Sequence, residues 1–332
     1  MKGFIFEAPG KGEIRELAEK RPATGEVLVR VKYCGVCGTD MNIWRGTDRS
    51  ERNIVLGHEY CGTIVEVGAG VAGFQVGDRV AIDPNIPCQK CEPCRKGRIN
   101  LCTALKALGV DIDGGFEEYC CVPENQLYLL PDSLSWEQAA LMEPVACALN
   151  GINRADIAIG DDVLILGGGP MGLLMVQLAR LRGAGHVILC ERMDSRRQIG
   201  LQTGADAVYA NLEDCQFPAG APHVVIECIG NPQTQQAALE LVKPGGSVVL
   251  FGDGDLTKAF TVPSQLFYAK ELTARGAALN PFTHDQAFRL IASGRMQLEP
   301  LVSRKILLEE LIPLLENGYQ PQDIKVLVAL EG

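Results

Sequence analysis

Asp162-Val-Leu-Ile-Leu runs directly into Gly167-Gly-Gly169-Pro-Met-Gly172 and then into the apolar stretch Leu173 to Arg182. The first run reads as a buried strand and the last as a helix, so the glycines fall on a strand-turn-helix junction. At such a junction the G-x-G-x-x-G spacing predicts a dinucleotide cradle. Gly167 permits the tight turn, Gly169 lets the backbone approach a pyrophosphate, and Gly172 allows the helix to pack closely on the strand. The helix N-terminus, opened by Pro170 and Met171, would face the anion. An ordinary glycine-rich turn is the plain alternative. Against it, the next strand, Val187 to Glu191, ends in an acidic residue at the roughly 20-residue offset expected of a ribose-binding carboxylate. Glu191, with Arg192 beside it, is therefore expected at the adenosine ribose.

Outward from this junction, further strands are expected at Val224 to Cys228 and Ser247 to Phe251, alternating with helical stretches at βαβ spacing, which predicts a doubly wound parallel sheet over residues 145–280. The preceding text differs. Val27-Leu-Val-Arg-Val-Lys, Gly62-Thr-Ile-Val-Glu-Val and Arg79-Val-Ala-Ile are short apolar runs closed by Gly, Pro or Asp, as in a barrel-like β domain. Ser135-Trp-Glu-Gln opens a capped helix just before the change of character. After Pro281 a helix is expected at Asp285 to Ser293, and a final strand, Lys325 to Leu330, could return to the first domain. The α/β fold would then be a β-rich domain of residues 1–144 and 281–332 interrupted by the nucleotide domain.

Composition narrows the function. The 332 residues suit two domains. With 47% hydrophobic and 22% charged residues the chain should fold unaided. Its 41 acidic against 31 basic residues give a formal charge of −10, which repels phosphate backbones and anionic lipid, so nucleic acid is not an expected partner. No segment approaches the roughly 20 apolar residues that span a bilayer, and a cytoplasmic location is expected.

Thirteen cysteines is an odd number, and four of them fall in one pattern, Cys88-x2-Cys91-x2-Cys94-x7-Cys102. That density matches a closed all-cysteine zinc site, structural because no coordination position is left open. A disulfide-linked loop is the alternative, disfavoured in a reducing compartment; a nucleic-acid-binding zinc ribbon is disfavoured by charge. A second, dispersed constellation comprises Gly35-Val-Cys37-Gly-Thr39-Asp40, Gly57-His58-Glu59 and Met142-Glu143-Pro144. Taken singly, each is an ordinary core or hydrogen-bonding residue.

On these residues the chain resembles the zinc-containing medium-chain dehydrogenase/reductase family along essentially its whole length. The resemblance implies a GroES-like catalytic domain, a Rossmann domain, NAD, two zinc ions per chain, and a homodimer or homotetramer. It makes Cys37 and His58 catalytic zinc ligands, places Glu59 beside the metal, where it can ligate or stand by, and makes Glu143 the carboxylate found in sorbitol- and threonine-dehydrogenase-like branches, which points to a small polyol-like substrate. The implied chemistry is metal-assisted hydride transfer, with Thr39 accepting the substrate proton. Many relatives carry a relay histidine where this chain has Asn42, which does not titrate near neutrality. Asn280-Pro-Phe resembles a stretch of bacterial polyol dehydrogenases.

Other residues are expected to serve structure. His186, His223 and His284 read as solvated or capping, Cys120 and Cys121 as packing, and Trp44 as either core or pocket wall. Competing activities are a threonine-type amino-alcohol dehydrogenase, a cyclitol or amino-cyclitol dehydrogenase, and a non-catalytic dinucleotide sensor. Glu191 favours NAD by repelling a 2′-phosphate, against the nearby cations Arg192, Arg196 and Arg197.

Overall fold

The computed structural model describes residues 1–254 and 258–330. The chain divides into two compact units, Met1–Pro144 with His284–Gly332, and Val145–Thr283. The second unit is thus an insertion in the sequence of the first. The return crossing falls at His284 rather than 281, because the Thr283 hydroxyl still donates to Ala146 O, 2.7 Å away within the inserted unit.

The inserted unit is built on six parallel strands in the order Ala207–Tyr209, His186–Cys190, Asp162–Leu166, Val224–Glu227, Ser247–Leu250, Thr273–Gly276. Asp162–Leu166 is buried at every residue, which is why it reads as an unbroken apolar run. Strand order proceeds in opposite directions from this strand, so the carboxyl ends of Asp162–Leu166 and Val224–Glu227 flank the switch point where such sheets bind ligands. The helix Pro170–Leu181 follows, with Gly169 as its N-cap. It starts before Leu173 because proline is suited to the first helical turn.

The three fingerprint glycines do different work. Gly167 has φ +94°, a conformation unfavourable for side chains with a Cβ. A Cβ on Gly172 would lie 1.7 Å from Gly167 O, whereas one on Gly169 would meet nothing within 4 Å. The last result is a clear approach to backbone, as a pyrophosphate needs.

The other unit centres on a seven-stranded sheet whose main path is Leu127–Leu129, Arg79–Ile82, Glu59–Val67, Glu26–Gly35, Lys325–Ala329, Val302–Leu307, with Tyr119–Pro123 also paired to Glu26–Gly35. The C-terminal strand does return: it runs antiparallel to Glu26–Gly35, with Leu327 opposite Gly35. Phe4, Tyr60, Phe116, Ile64 and Leu56 lie in the core this sheet covers. Ser135 caps the helix Trp136–Ala140 through a capping box with Gln138. Among the described residues, no helix is long and apolar enough to cross a membrane.

Gly172→Ala should destabilise the inserted unit by about 1–3 kcal/mol, the usual cost of forcing a methyl into a packed backbone contact, and should weaken dinucleotide binding. Urea unfolding and a fluorescence titration read these together. An unchanged midpoint would mean that the helix separates from the Gly167 turn without cost.

Candidate active site

Strand register assembles the dispersed constellation. Gly35 pairs with Glu59 in the antiparallel ladder between Glu26–Gly35 and Glu59–Val67, so the residues just beyond one strand end meet those just before the other. Cys37, His58 and Glu59 consequently offer ligand atoms that all lie within 4.8 Å of one another. Gly57 turns the chain into this position with φ +91°, and a Cβ there would stand 2.7 Å from Cys34 Sγ and 2.9 Å from the Phe116 ring.

Cys37 is also the N-cap of the helix Gly38–Arg45. Asp40, fully buried in its first turn, accepts the Cys37 N–H at 2.8 Å through Oδ2. Its Oδ1 faces His58 Nδ1 at 3.6 Å, and neither atom has a hydrogen-bond partner. Such a carboxylate behind a ligating imidazole fixes the ring and leaves the other nitrogen for a metal. Burial opposes charge on His58, but Asp40 and Cys37 outweigh it and raise its pKa well above the ordinary value. Asp40 escaped the reading of the sequence, although its place three residues after an N-cap is the pattern of a capping box.

The Thr39 hydroxyl lies 3.7 Å from Cys37 Sγ. Asn42, three residues on, shares that helix face and is partly buried. Trp44 is core: 6% exposed, it is tilted against Phe4 with ring centroids 6.1 Å apart.

Two carboxylates border the site differently. Glu59 is 2% exposed, and its Oε2 is paired with Lys325 Nζ at 2.5 Å. Glu143, also buried, sits in the first turn of the helix Met142–Ile152; it is not among the three residues whose ligand atoms cluster within 4.8 Å. A thiolate, an imidazole and a carboxylate form a donor set suited to zinc, with one tetrahedral position left for a substrate.

The second cluster holds Cys88, Cys91, Cys94 and Cys102, their sulfurs also within 4.8 Å of one another, and all four are free of disulfides. Backbone N–H groups point at the sulfurs: Cys102 Sγ accepts from Cys88 N and Ala104 N. Those of Cys94 and Thr103 lower the Cys91 thiol to about 6. Burial and the neighbouring thiols push Cys94 the other way, up to about 12, and N–H donors aimed at sulfur favour the thiolates that a closed tetrahedral site requires.

In the inserted unit the Glu191 carboxylate is braced by the backbone, Oε2 accepting from Gly168 N at 2.6 Å and Oε1 from Met193 N at 2.8 Å. A carboxylate has further lone-pair positions for ribose hydroxyls. Arg197 is committed elsewhere: its guanidinium donates to the carbonyls of Glu191 and Arg192 and to Asp194. Arg192 is exposed and Arg196 partly buried.

The histidines set aside above have distinct fates. His186 Nδ1 is 2.8 Å from Asp162 Oδ1, with its side chain about half exposed, and His223 Nδ1 accepts from Asp162 N. His284 corrects the expectation of a solvated or capping residue. It is fully buried, stacked on Tyr128 with centroids 5.2 Å apart, and burial lowers its pKa to about 3. The reason is tertiary, since the helix it begins packs against the strand that carries Tyr128. Cys120 is buried, with Sγ 3.3 Å from Tyr60 Oη, and Cys121 lies partly buried on the same strand.

Fold and site together define a two-unit dehydrogenase with a dinucleotide cradle and two sets of metal donors. The alcohol dehydrogenase GroES-like domain family matches residues 23–132, and the zinc-binding dehydrogenase family matches residues 170–293. The L-threonine 3-dehydrogenase of Pyrococcus horikoshii is 35% identical over 92% of this chain and 91% of its own. The sorbitol dehydrogenase of Gallus gallus is 33% identical over 92% and 90%. Among solved structures, a protein of Sinorhizobium meliloti assigned as a zinc-binding dehydrogenase and bound to NADP is 38% identical, with a TM-score of 0.96 over 99% of this chain and 98% of its own. The rspB alcohol dehydrogenase of Escherichia coli, complexed with NADH, is 32% identical, with a TM-score of 0.91 over 99% of each chain. The chain belongs to the zinc-binding alcohol dehydrogenase family.

Removal of the carboxylate behind His58 should be felt in metal affinity: Asp40→Asn is expected to weaken the Cys37/His58 site about 10- to 100-fold, as loss of such a partner typically does. Competition with a chelating dye measures it, and wild-type affinity would show that Asp40 only caps the helix. Timed chelation should likewise strip this ion before the one enclosed by four thiolates, with activity lost before structure by circular dichroism. Loss of fold together with the first ion would contradict the assignment of the two sites.

Proposed function

We propose that the protein oxidises a secondary alcohol of a polyol or sugar alcohol to a ketone, with NAD as the hydride acceptor. The observation that carries this reading is the donor set: among the described residues Cys37 and His58 cluster with the buried carboxylate Glu59 and with no second cysteine, and the buried carboxylate Glu143 borders them at the start of its helix. Oxygen donors are harder and more readily exchanged than thiolate, which suits a substrate that presents several hydroxyls to one metal. The sorbitol dehydrogenase relative supports the same substrate class.

Zinc, when bound, polarises the alcohol oxygen and lowers its pKa, and the nicotinamide ring takes the hydride. Cys37 and His58 hold the ion, Asp40 orients His58, and Glu143 is a further carboxylate ligand. Thr39, beside Cys37, accepts the proton from the substrate hydroxyl. Asn42 can pass a hydrogen bond along the same helix face but cannot store the proton, so solvent must take it up there. Gly167, Gly169, Pro170, Met171 and Gly172 receive the pyrophosphate, and Glu191 the ribose hydroxyls.

A threonine-type activity is the second reading, favoured by the P. horikoshii relative; a vicinal amino alcohol presents a similar oxygen to the metal. Initial rates of NAD reduction with sorbitol, xylitol, arabinitol, inositol, threonine and simple alcohols decide. Polyols should have the highest kcat/KM. A dominant rate with threonine would replace this reading by the second, and binding of NAD without any turnover in zinc-replete protein would favour a sensor.

For cofactor choice, Glu191 repels a 2′-phosphate while Arg197 is occupied by its own helix and loop, so NAD is expected over NADP. Arg192, next in the chain, is exposed. Glu191→Ser should lose much of the preference for NAD in kcat/KM. Wild-type preference for NADP, the cofactor held by the S. meliloti protein, would overturn the assignment.

A further inference from the structure

Lys325 is a cation with almost no solvent. It is 2% exposed, and it stands at the start of the C-terminal strand that pairs Leu327 with Gly35. This register carries its ammonium to the end of the Glu26–Gly35 strand, where Nζ donates to Val36 O at 3.1 Å and to Glu59 Oε2 at 2.5 Å. Tyr319 donates to the same Val36 carbonyl at 2.9 Å. The room for the pair is made by Gly35, where a Cβ would stand 2.4 Å from Glu59 Oε2 and 3.4 Å from Lys325 Cδ. Cys37 and Glu143 also bear on Lys325 electrostatically. Every fixed charge that would hold a dication is thus within the influence of one buried monocation.

We infer that Lys325 is a positioning residue for the metal: by binding Glu59 Oε2 and offsetting its charge, it keeps Glu59 a weak, exchangeable donor and so preserves an open coordination position. The inference rests on the metal site proposed above. Its physical basis is competition. A carboxylate oxygen tied to an ammonium has less charge to give a dication, and the ammonium itself repels that dication at short range. Without Lys325 the site would hold uncompensated buried negative charge, which a divalent ion relieves by drawing Glu59 fully into its shell. A shell closed by protein ligands has the character of a structural site and leaves no place for an alcohol.

The test compares wild type, Lys325→Met, Lys325→Gln and the double variant Glu59→Gln/Lys325→Met. Each is loaded with zinc or with cobalt(II), whose visible spectrum reports ligand number and geometry. We expect Lys325→Met to release its more labile ion to a chelator at least about 10-fold more slowly than wild type, with a changed cobalt spectrum. Lys325→Gln, which keeps a donor but no charge, should move in the same direction, and it supplies the comparison should the methionine variant not fold. The double variant, lacking both charges, should lose the slow release. Release from both single variants as fast as or faster than wild type, or an unchanged cobalt spectrum, overturns the inference. If wild type takes up only the ion held by the four cysteines, the metal-site reading itself fails, and the two failures are distinguished by ion content alone.

Discussion

The strand Glu26–Gly35 is gripped on both sides at its C-terminal end, by Glu59 across from Gly35 on one edge and by Leu327 on the other. This register is the constraint on which the metal donors depend. Side chains alternate between faces along a strand, so a slip of one residue would turn every core position outward and move Glu59 away from Cys37. The slip is prevented by the fully buried Val27, Val29 and Val31, which make the correct alignment the one that covers apolar surface. The donors themselves need contribute nothing to the choice, and a hydrophobic ladder places polar chemistry.

That placement puts charge where water does not reach. Glu59 and Lys325 form an ion pair with side chains 2% and 3% exposed, and loss of one partner from such a pair typically costs about 3–5 kcal/mol. A buried pair is weak evidence of net stability, since well-packed apolar residues often serve as well. Its retention is better understood through what it holds in place, a carboxylate beside a thiol and an imidazole. The cradle in the other unit solves a similar problem with backbone: two N–H groups hold Glu191. Anchoring by backbone amides keeps the negative charge intact for its ligand, whereas anchoring by an ammonium spends part of it.

How much was legible in the sequence follows from distance along the chain. Gly167 to Gly172 and Cys88 to Cys102 are local, so their spacing alone fixes their geometry and they could be read directly. Cys37 and His58 are farther apart and were found through resemblance. Lys325 was read only as the first residue of a strand, because its pairing with Glu59 spans 266 positions and no local pattern signals it. His284 was misjudged for a related reason: histidine at a helix start is commonly solvated, and only packing against Tyr128 makes it core. Asp40 was open to local reading, since a carboxylate at the third helical position signals a cap, but its contact with His58 depends on the same register that joins the strands.

The division of the first unit has a consequence for how the chain is made. Proteins emerge vectorially at about 5–20 residues per second, and domains tend to fold as they appear. Residues 1–144 emerge early with the thiol, the imidazole and Glu59, yet the strand that supplies Lys325 follows only after the whole inserted unit has been synthesised. The counter-ion of Glu59 and the strand that pairs with the Gly35 end of the sheet are therefore supplied together, by the C-terminal strand. Exposed strand edges invite association with other chains, and a buried carboxylate lacking its counter-ion favours a metal or a proton. Residues 1–144 therefore complete neither their sheet nor their buried charge pair until Lys325–Ala329 docks.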